Sequence, residues 1–131
     1  MIPRQVVIDT NVFVAAGFNP SSHAAAILAA VRSGALAFVW NEATRSETEA
    51  VLRRIPPLRD TGAFDLFRGT PPYQGAVDES AFAFVTDPGD RKFAALAAAT
   101  GSTLVTNDDD LLSVRDRIFV SVLTPRELVA V

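Results

Sequence analysis

Near its start the chain reads Val6-Val7-Ile8-Asp9-Thr10-Asn11. Three consecutive β-branched residues predict a strand that is buried on both faces, as in the interior of a parallel sheet. The strand ends at a carboxylate, and the small polar residues that follow can begin a helix. In open α/β sheets, ligands bind in the crevice outside the carboxyl ends of the strands. Asp9 therefore stands where chemistry is expected, although helix capping alone would also explain an aspartate at this position.

The composition indicates one globular domain, which we expect to span residues 1–131. Of the 131 residues, 49% are hydrophobic and 21% are charged, which is enough apolar material to bury a core. The chain has no cysteine, which excludes disulfides and thiolate metal sites. No signal-peptide pattern precedes the first strand, and no apolar run approaches the ~18–20 residues of a membrane span. We therefore expect a cytoplasmic protein with no membrane partner.

The charge of the chain gives a mixed indication about nucleic acid. A net charge of −3 argues weakly against such a partner. However, all but one of the twelve basic residues are arginines, the exception being Lys92. The planar arginine side chain suits phosphate recognition, and carboxylates gathered around cations would change the local charge.

Strands and helices are predicted to alternate along the chain. The predicted strands are Val6–Ile8, Ala37–Trp40, Ser80–Val85, Ser102–Thr106 and Ile118–Val122. The predicted helices are Thr10–Phe18, a segment from Ser21 and Ser22 to Gly34, Asn41–Ile55, a segment from Asp87 to Gly101, and short turns at Leu111–Leu112 and Thr124–Glu127. Residues 58–76 match no clear pattern. The alternation predicts an α/β fold, a three-layer α/β/α sandwich around a mainly parallel sheet of about five strands.

The predicted helix Asn41–Ile55 carries glutamates in different surroundings. At 100° per residue, Glu47 shares a face with Ala43 and Val51, which predicts that it points inward without a basic partner nearby in sequence. Glu49 has an arginine four residues away on each side, so it is predicted to be a solvent-exposed ion-pair residue. A carboxylate that faces the core is costly unless it is paired or binds a metal. Glu47 is therefore the functional candidate of this helix.

Two further acidic stretches stand beside predicted strands. In Asp87-Pro88-Gly89-Asp90, Asp87 is explained as a helix cap followed by proline, whereas Asp90 aligns with the helix face that meets the sheet. The run Asp108-Asp109-Asp110 directly follows a strand, and we expect Asp109 or Asp110 to cap the next helix. Asp108, which is closest to the strand, resembles Asp9 in placement. Because three adjacent acids repel one another, a cation or an arginine is expected near them.

Four acids are thus expected to converge on one end of one sheet: Asp9, Glu47, Asp90 and Asp108. Sites built from carboxylates suit Mg²⁺ or Mn²⁺ rather than Zn²⁺. Such sites promote phosphoryl chemistry by activating water and by neutralising charge on the phosphate. The single histidine, His23, lies in the cap region of a helix far from these stretches and is expected on the surface.

The acidic stretches, in this order, resemble the motifs of the PIN domain. The matching segments are residues 6–12, 41–53, 87–97 and 104–112, and residues 124–128 resemble the usual ending. The resemblance implies a PIN-like fold and a metal-dependent endoribonuclease, a family in which many members are toxins of VapBC-type toxin–antitoxin pairs. It implies one or two Mg²⁺ or Mn²⁺ ions at Asp9, Glu47, Asp90 and Asp108, with Asp110 assisting and with Asn11 and Thr106 in supporting roles. Thr48 departs from the pattern of the second motif, which leaves Glu49 as an alternative to Glu47.

These inferences predict an endoribonuclease that cleaves single-stranded or structured RNA with metal-activated water. The expected partners are RNA, a small antitoxin whose arginine enters the acidic pocket, and a second copy of the chain in a homodimer. The basic residues expected to contact RNA are Arg45, Arg53, Arg54, Arg91 and Lys92. One alternative is a haloacid-dehalogenase-like phosphatase, which is disfavoured because Asn11 stands where that motif needs a second aspartate. The other is a non-catalytic PIN-like module that binds RNA or protein, against which the complete set of four acids argues.

Overall fold

The computed structural model describes residues 3–59 and 62–131. Residues 1–2 and 60–61 lie outside the described residues. The prediction of one domain over residues 1–131 includes all four of them, and the stretch 58–76, which matched no pattern, includes residues 60–61. Within the described residues, one sheet contains four parallel strands in the order β2-β1-β3-β4. These are β1 (Arg4–Ile8), β2 (Leu36–Phe38), β3 (Thr103–Val105) and β4 (Val122–Leu123). The two strands from the middle of the sheet, β1 and β3, are direct neighbours.

The helices begin and end at residues whose local chemistry predicts those bounds. Asn41 and Thr44 form a reciprocal capping box before α3, as Thr124 and Glu127 do before α6. Gly101 ends α4 with a φ of +67°, which glycine adopts without steric cost. The helices are α1 (Thr10–Phe18), α2 (His23–Arg32), α3 (Glu42–Arg53), α4 (Arg91–Thr100), α5 (Asp109–Leu112) and α6 (Pro125–Val129).

The sheet lies between two hydrophobic cores, because successive side chains of β1 point to opposite faces. Val6 and Ile8 pack into one core with residues of α1, α2 and α6. Val7 packs into the other core, which α4 fills from Phe93 to Ala97. This arrangement confirms the predicted α/β sandwich with a parallel sheet flanked by helices.

In the described part of the chain, no single helix has the length and apolar character to cross a membrane. The consecutive helices α1 and α2 meet those criteria only when taken together, and they are bent by 105° at their junction.

The predicted strand Ser80–Val85 is wrong, and its absence explains why the described sheet has four strands rather than about five. The segment forms a 3₁₀ turn over Glu79–Phe82, begun by the Asp78 side chain, which accepts a hydrogen bond from the Ser80 amide. Phe82 and Val85 are buried three residues apart in the core against α4, a spacing that suits a 3₁₀ turn better than a strand.

The last strand was predicted at Ile118–Val122 but lies further along, at Val122–Leu123. The segment before it forms a 3₁₀ turn over Arg115–Arg117, and Phe119 is almost fully exposed. Most of the predicted segment Ile118–Val122 therefore does not pair with β3. Only the last two positions before Thr124 enter the ladder.

Candidate metal centre

The central strands β1 and β3 end together and carry acidic residues at their carboxyl ends. The Asp9 amide donates a hydrogen bond to the Val105 carbonyl at 3.0 Å, which holds Asp9 at the end of β3. Asp108 follows β3 after two residues, and Asp90 stands at the start of α4, the helix that covers this part of the sheet. The topology therefore brings three carboxylates to one edge.

Asp9, Asp90 and Asp108 form the closest acidic group at this edge. One carboxylate oxygen from each lies within 4.8 Å of the other two. Asp9 is only 3% exposed and Asp90 only 7% exposed. Within the described residues, Asp90 Oδ2 is buried without a hydrogen-bond partner, and none of the ion pairs includes these three acids. A buried carboxylate without a donor is costly, so the group fits a cation.

Thr106 links two of these acids through one hydroxyl. Its Oγ1 donates a hydrogen bond to Asp9 Oδ2 at 2.8 Å and accepts one from the Asp108 amide at 2.9 Å. Thr106 is fully buried, so the hydroxyl has no competing water. It therefore fixes the Asp9 carboxylate relative to the backbone that precedes α5.

The environment of the group disfavours negative charge. Burial, together with the charges of Asp108 and Glu47, raises the pKa of Asp9 to about 6, although the Thr106 hydrogen bond acts in the opposite direction. Burial and the charges of Asp9, Asp108 and Asp87 raise the pKa of Asp90 well above its usual range. A divalent cation would offset this repulsion, and all-oxygen donors of this kind suit Mg²⁺ or Mn²⁺.

A second acidic group adjoins the first and shares Asp90 with it. It consists of Asp87, Asp90 and Asp110, again with one carboxylate oxygen from each within 4.8 Å of the others. Asp110 was a predicted ligand, whereas Asp87 was predicted to be only a cap. The Asp87 side chain does cap the 3₁₀ turn Pro88–Asp90, accepting a hydrogen bond from the Gly89 amide at 2.9 Å.

The cap of α5 differs from the prediction. Asp108, rather than Asp109 or Asp110, is the N-cap, and its Oδ1 accepts a hydrogen bond from the Asp110 amide at 2.9 Å. The prediction was wrong because α5 begins one or two residues earlier than those caps would require. Asp108 thus caps a helix and also belongs to the three-carboxylate group.

The two glutamates of α3 lie differently from the prediction. Glu47 was predicted to face inward, but its side chain is 40% exposed, and Lys92 Nζ lies 3.5 Å from its Oε2. Glu49 was predicted to be exposed, but its side chain is only 12% exposed between Arg45 and Arg53, at 2.6 and 3.2 Å. The expected ion pairs are present, although they shield Glu49 from solvent. The buried face of α3 consists of Thr44, Thr48 and Leu52. The helix is therefore rotated about its axis relative to the prediction, and both glutamates lie on other faces than expected.

Glu47 remains near the acidic edge without belonging to either three-carboxylate group. A Cβ atom at Gly89 would lie 3.6 Å from Glu47 Oε1, which places this glutamate beside the turn that carries Asp90. Of the four acids expected to converge, three meet closely and Glu47 stands at the margin. Glu49 lies in its own arginine pair and joins neither group.

Sequence reasoning missed a buried polar contact that positions α3. The hydroxyls of Thr10 and Thr48 are hydrogen-bonded at 2.9 Å, and both residues are buried. Thr10 follows Asp9 directly, so the contact ties the end of β1 to the helix that carries Glu47. The departure at Thr48 from the expected motif was the signal available in the sequence.

The remaining predicted site residues lie outside both three-carboxylate groups. Asn11 is exposed in the first turn of α1. Arg45 lies over the Trp40 ring, and Arg91 donates hydrogen bonds to the carbonyls of Ala83 and Val85. Arg53, the last residue of α3, and Arg54, its C-cap, are exposed. Lys92 lies between Glu47 and the Gly89 carbonyl. His23 is exposed, as expected.

The comparisons with known proteins agree with this arrangement. A search of curated proteins gives no significant match. A family model described as the PIN domain matches residues 5–110, a range that contains all of β1 except Arg4, all of α3, α4 and β3, and every acid of both groups. The chain therefore belongs to the PIN domain family.

Proposed function

We propose that this chain is an endoribonuclease that depends on Mg²⁺ or Mn²⁺. The observation that carries the proposal is the group of Asp9, Asp90 and Asp108, with the buried, unpartnered Oδ2 of Asp90. The group lies within a PIN domain, and PIN domains are generally metal-dependent nucleases. A phosphatase or a binding module without catalysis would not need this set of carboxylates in a PIN domain.

The residues of the edge have distinct parts in this proposal. Asp9, Asp90 and Asp108 would hold the cation, with Asp110 beside them. A bound Mg²⁺ or Mn²⁺ would neutralise charge on a scissile phosphate and lower the pKa of a water molecule. Thr106 fixes the orientation of Asp9. Glu47 stands at the solvent side, where we propose that it faces the substrate or an additional ion.

Loss of one carboxylate charge tests this function. Asp9→Asn should lower Mn²⁺-dependent cleavage of a single-stranded RNA by at least about 100-fold, since even the outer partners of metal ligands contribute about 10–100-fold. Asp109→Asn is the matched control, because Asp109 is an exposed acid of the same run and belongs to neither group. Cleavage should also stop when the cation is removed with a chelator. Full activity in chelator would contradict the proposal.

We further propose that RNA is held by basic side chains at the rim of the edge, Arg53, Arg54 and Lys92 in particular. Arg53 and Arg54 are exposed, and Lys92 lies next to Glu47. Contacts of this kind with phosphates release counterions, so RNA affinity should fall steeply as the salt concentration rises. A binding constant for RNA that stays unchanged over a severalfold rise in salt would exclude this rim.

The resemblance to VapC-like toxins supports a finer proposal, that the chain is the toxin of a toxin–antitoxin pair. The acidic edge would accept the guanidinium of an antitoxin arginine in place of the cation. Induced expression of the wild-type chain should slow bacterial growth, whereas Asp9→Asn should not. The product of a small reading frame directly upstream should bind the chain and inhibit it, and added Mn²⁺ should relieve the inhibition. Growth unaffected by the active chain would contradict the toxin role.

A further inference from the structure

We propose that Thr48 is a positioning residue for the reaction, because its buried hydrogen bond to Thr10 holds Glu47 at the acidic edge. The inference deepens the proposed function and rests on it, since Glu47 has a part in the reaction only if this edge cleaves RNA. It assigns a role to the threonine at which the second motif departs from the PIN pattern. That role is to orient Glu47, not to contact the substrate or the cation.

The first support is the place of the two hydroxyls in the chain. Thr10 directly follows Asp9 and Thr48 directly follows Glu47. One hydrogen bond of 2.9 Å therefore joins the neighbours of two acids of the edge, across 38 positions of sequence. Thr48 is 1% exposed and Thr10 is 5% exposed, so the bond lies in surroundings of low polarity, where it is strong. It ties α3 directly to the backbone beside Asp9.

The second support is the directionality of this bond. Leu52, on the same face of α3, packs in the core by apolar contact, which has no preferred direction. Thr44 of that face forms the capping box with Asn41 at the beginning of the same helix. A hydrogen bond, in contrast, weakens steeply as its angle departs from linear. The Thr48 hydroxyl therefore sets the rotation of α3, and with it the direction in which the next side chain, Glu47, leaves the helix.

The third support is the weakness of the contact that the Glu47 carboxylate makes itself. Its side chain is 40% exposed, and Lys92 Nζ lies 3.5 Å from its Oε2. Exposed ion pairs of this kind contribute little and are screened by salt. Glu47 nevertheless lies beside the turn that carries Asp90, since a Cβ atom at Gly89 would be 3.6 Å from its Oε1. The backbone of α3 therefore determines this position more than the lysine does.

A double-mutant cycle between Thr48→Val and Glu47→Gln tests the inference. Two quantities are measured below the melting temperature of each variant: the kcat for Mn²⁺-dependent cleavage of a single-stranded RNA, and the affinity for Mn²⁺ alone, titrated by calorimetry into the metal-stripped full chain. Thr48→Val keeps the side-chain shape and should lower each about 10-fold, since outer partners of metal sites contribute about 10–100-fold. In the Glu47→Gln background, Thr48→Val should cause no further loss in either quantity.

A second pair of substitutions covers the case in which Thr48→Val does not fold. Removal of one hydroxyl leaves the other buried and unpaired, whereas removal of both leaves no unpaired group. The combined variant Thr10→Val, Thr48→Val then takes the place of Thr48→Val in the cycle, with the same expected losses. Wild-type cleavage and Mn²⁺ affinity in the combined variant would show that packing alone positions Glu47, and would overturn the inference.

Thr48→Ser is the conservative variant, because it keeps the hydroxyl that bonds to Thr10, and it should restore both quantities to nearly their wild-type values. Thr100→Val is the matched control. Thr100 also pairs with another hydroxyl, that of Ser102 at 2.6 Å, but this pair precedes β3, whereas Asp108 follows it. Thr100→Val should lower the melting temperature and leave cleavage and Mn²⁺ affinity unchanged.

The outcomes separate this inference from the proposed function. Losses that multiply when Thr48→Val and Glu47→Gln are combined would overturn the inference, because the hydroxyl would then act independently of Glu47. Wild-type values in either single variant, or an equal loss in Thr100→Val, would also overturn it. Each of these results would leave the nuclease proposal standing. A wild-type chain that neither binds Mn²⁺ nor cleaves RNA would overturn both.

Discussion

Asp9 and Asp90 carry their carboxyl groups in surroundings that favour the protonated form. Burial and neighbouring acids raise the pKa of Asp9 to about 6 and the pKa of Asp90 above its usual range, whereas both start from a reference value of 3.8. At a pH between the reference value of 3.8 and the raised pKa of each group, the folded protein binds more protons than the unfolded chain does. The free energy of unfolding therefore falls as pH rises through this window and recovers as pH is lowered.

In chelator, the melting temperature should accordingly rise when the pH is lowered from about 8 to about 5. Asp9→Asn removes one of the two titrating groups and should flatten this dependence, as followed by thermal denaturation. Acids whose pKa is lowered, such as Asp78 and Glu127, act in the opposite direction only at lower pH.

Asp65→Asn provides the control, because Asp65 is an exposed acid paired with Arg68 and its loss should leave the slope unchanged. A melting temperature that falls steadily as the pH is lowered over this window would show that the buried acids do not dominate the dependence.

At the scale of elements, Arg91 joins α4 to the segment that was predicted to be a strand. Its guanidinium group donates hydrogen bonds to the carbonyls of Val85 at 3.0 Å and of Ala83 at 3.1 Å. Arg91→Met should lower the free energy of unfolding by about 1–2 kcal/mol, since two charge-assisted bonds to partly exposed carbonyls are lost. Urea denaturation measures this change.

Arg54→Met is a suitable control, because Arg54 is exposed and its Nε bonds only to the Ala50 carbonyl of its own helix. Amide hydrogen exchange in residues 82–86 should accelerate in Arg91→Met and not in the control. Equal stability of the two variants would mean that the apolar contacts of Phe82 and Val85 hold this segment without Arg91.

The elements that the sequence predicted well are those fixed by neighbouring residues. Asn41, Thr124 and Gly101 determine helix ends through local hydrogen bonds or backbone conformation. The positions of Asp9 and Asp108 were predictable because both residues closely follow parallel strands, whose carboxyl ends lie at the same edge of the sheet. Ser80–Val85 was not predictable, because the choice between a strand and a 3₁₀ turn depends on the arginine and the helix that pack against it.

The same reason explains the errors on α3. A helical wheel gives the spacing of side chains but does not give the rotation of the helix against its neighbours. The Thr10–Thr48 hydrogen bond and the buried Leu52 set that rotation, and both depend on residues distant in sequence. The exposure of Glu47 and the shielding of Glu49 follow from it.

At the scale of the whole molecule, an apolar surface borders the core that α4 fills. Phe119 is 99% exposed and borders a cavity of about 410 Å³ whose lining includes Phe84, Ala95 and Ala98. Asp78 and Arg117 also line this cavity, so the surface carries both charge signs. A surface that holds both a protruding aromatic ring and a recess can pair with itself about a two-fold axis.

We therefore propose this surface for the expected homodimer. Sedimentation velocity should show a dimer at micromolar concentration for the wild type, and Phe119→Ser should shift the protein to the monomer. Phe18→Ser is the control, because Phe18 is exposed on α1 and does not line this cavity. A monomeric wild type would exclude the dimer. An unchanged dimer in Phe119→Ser would show that the interface lies elsewhere on the protein.

The hydroxyl of Thr106 has a consequence for where a proton can reside on Asp9. Because Oγ1 accepts the Asp108 amide, its single hydrogen is directed to Asp9 Oδ2. The protonated oxygen of a carboxylic acid is the weaker acceptor, so an added proton favours Oδ1 and leaves the bond at Oδ2 in place. The Thr106 hydroxyl thus makes the two oxygens of this carboxylate chemically unequal, because only Oδ2 accepts its hydrogen.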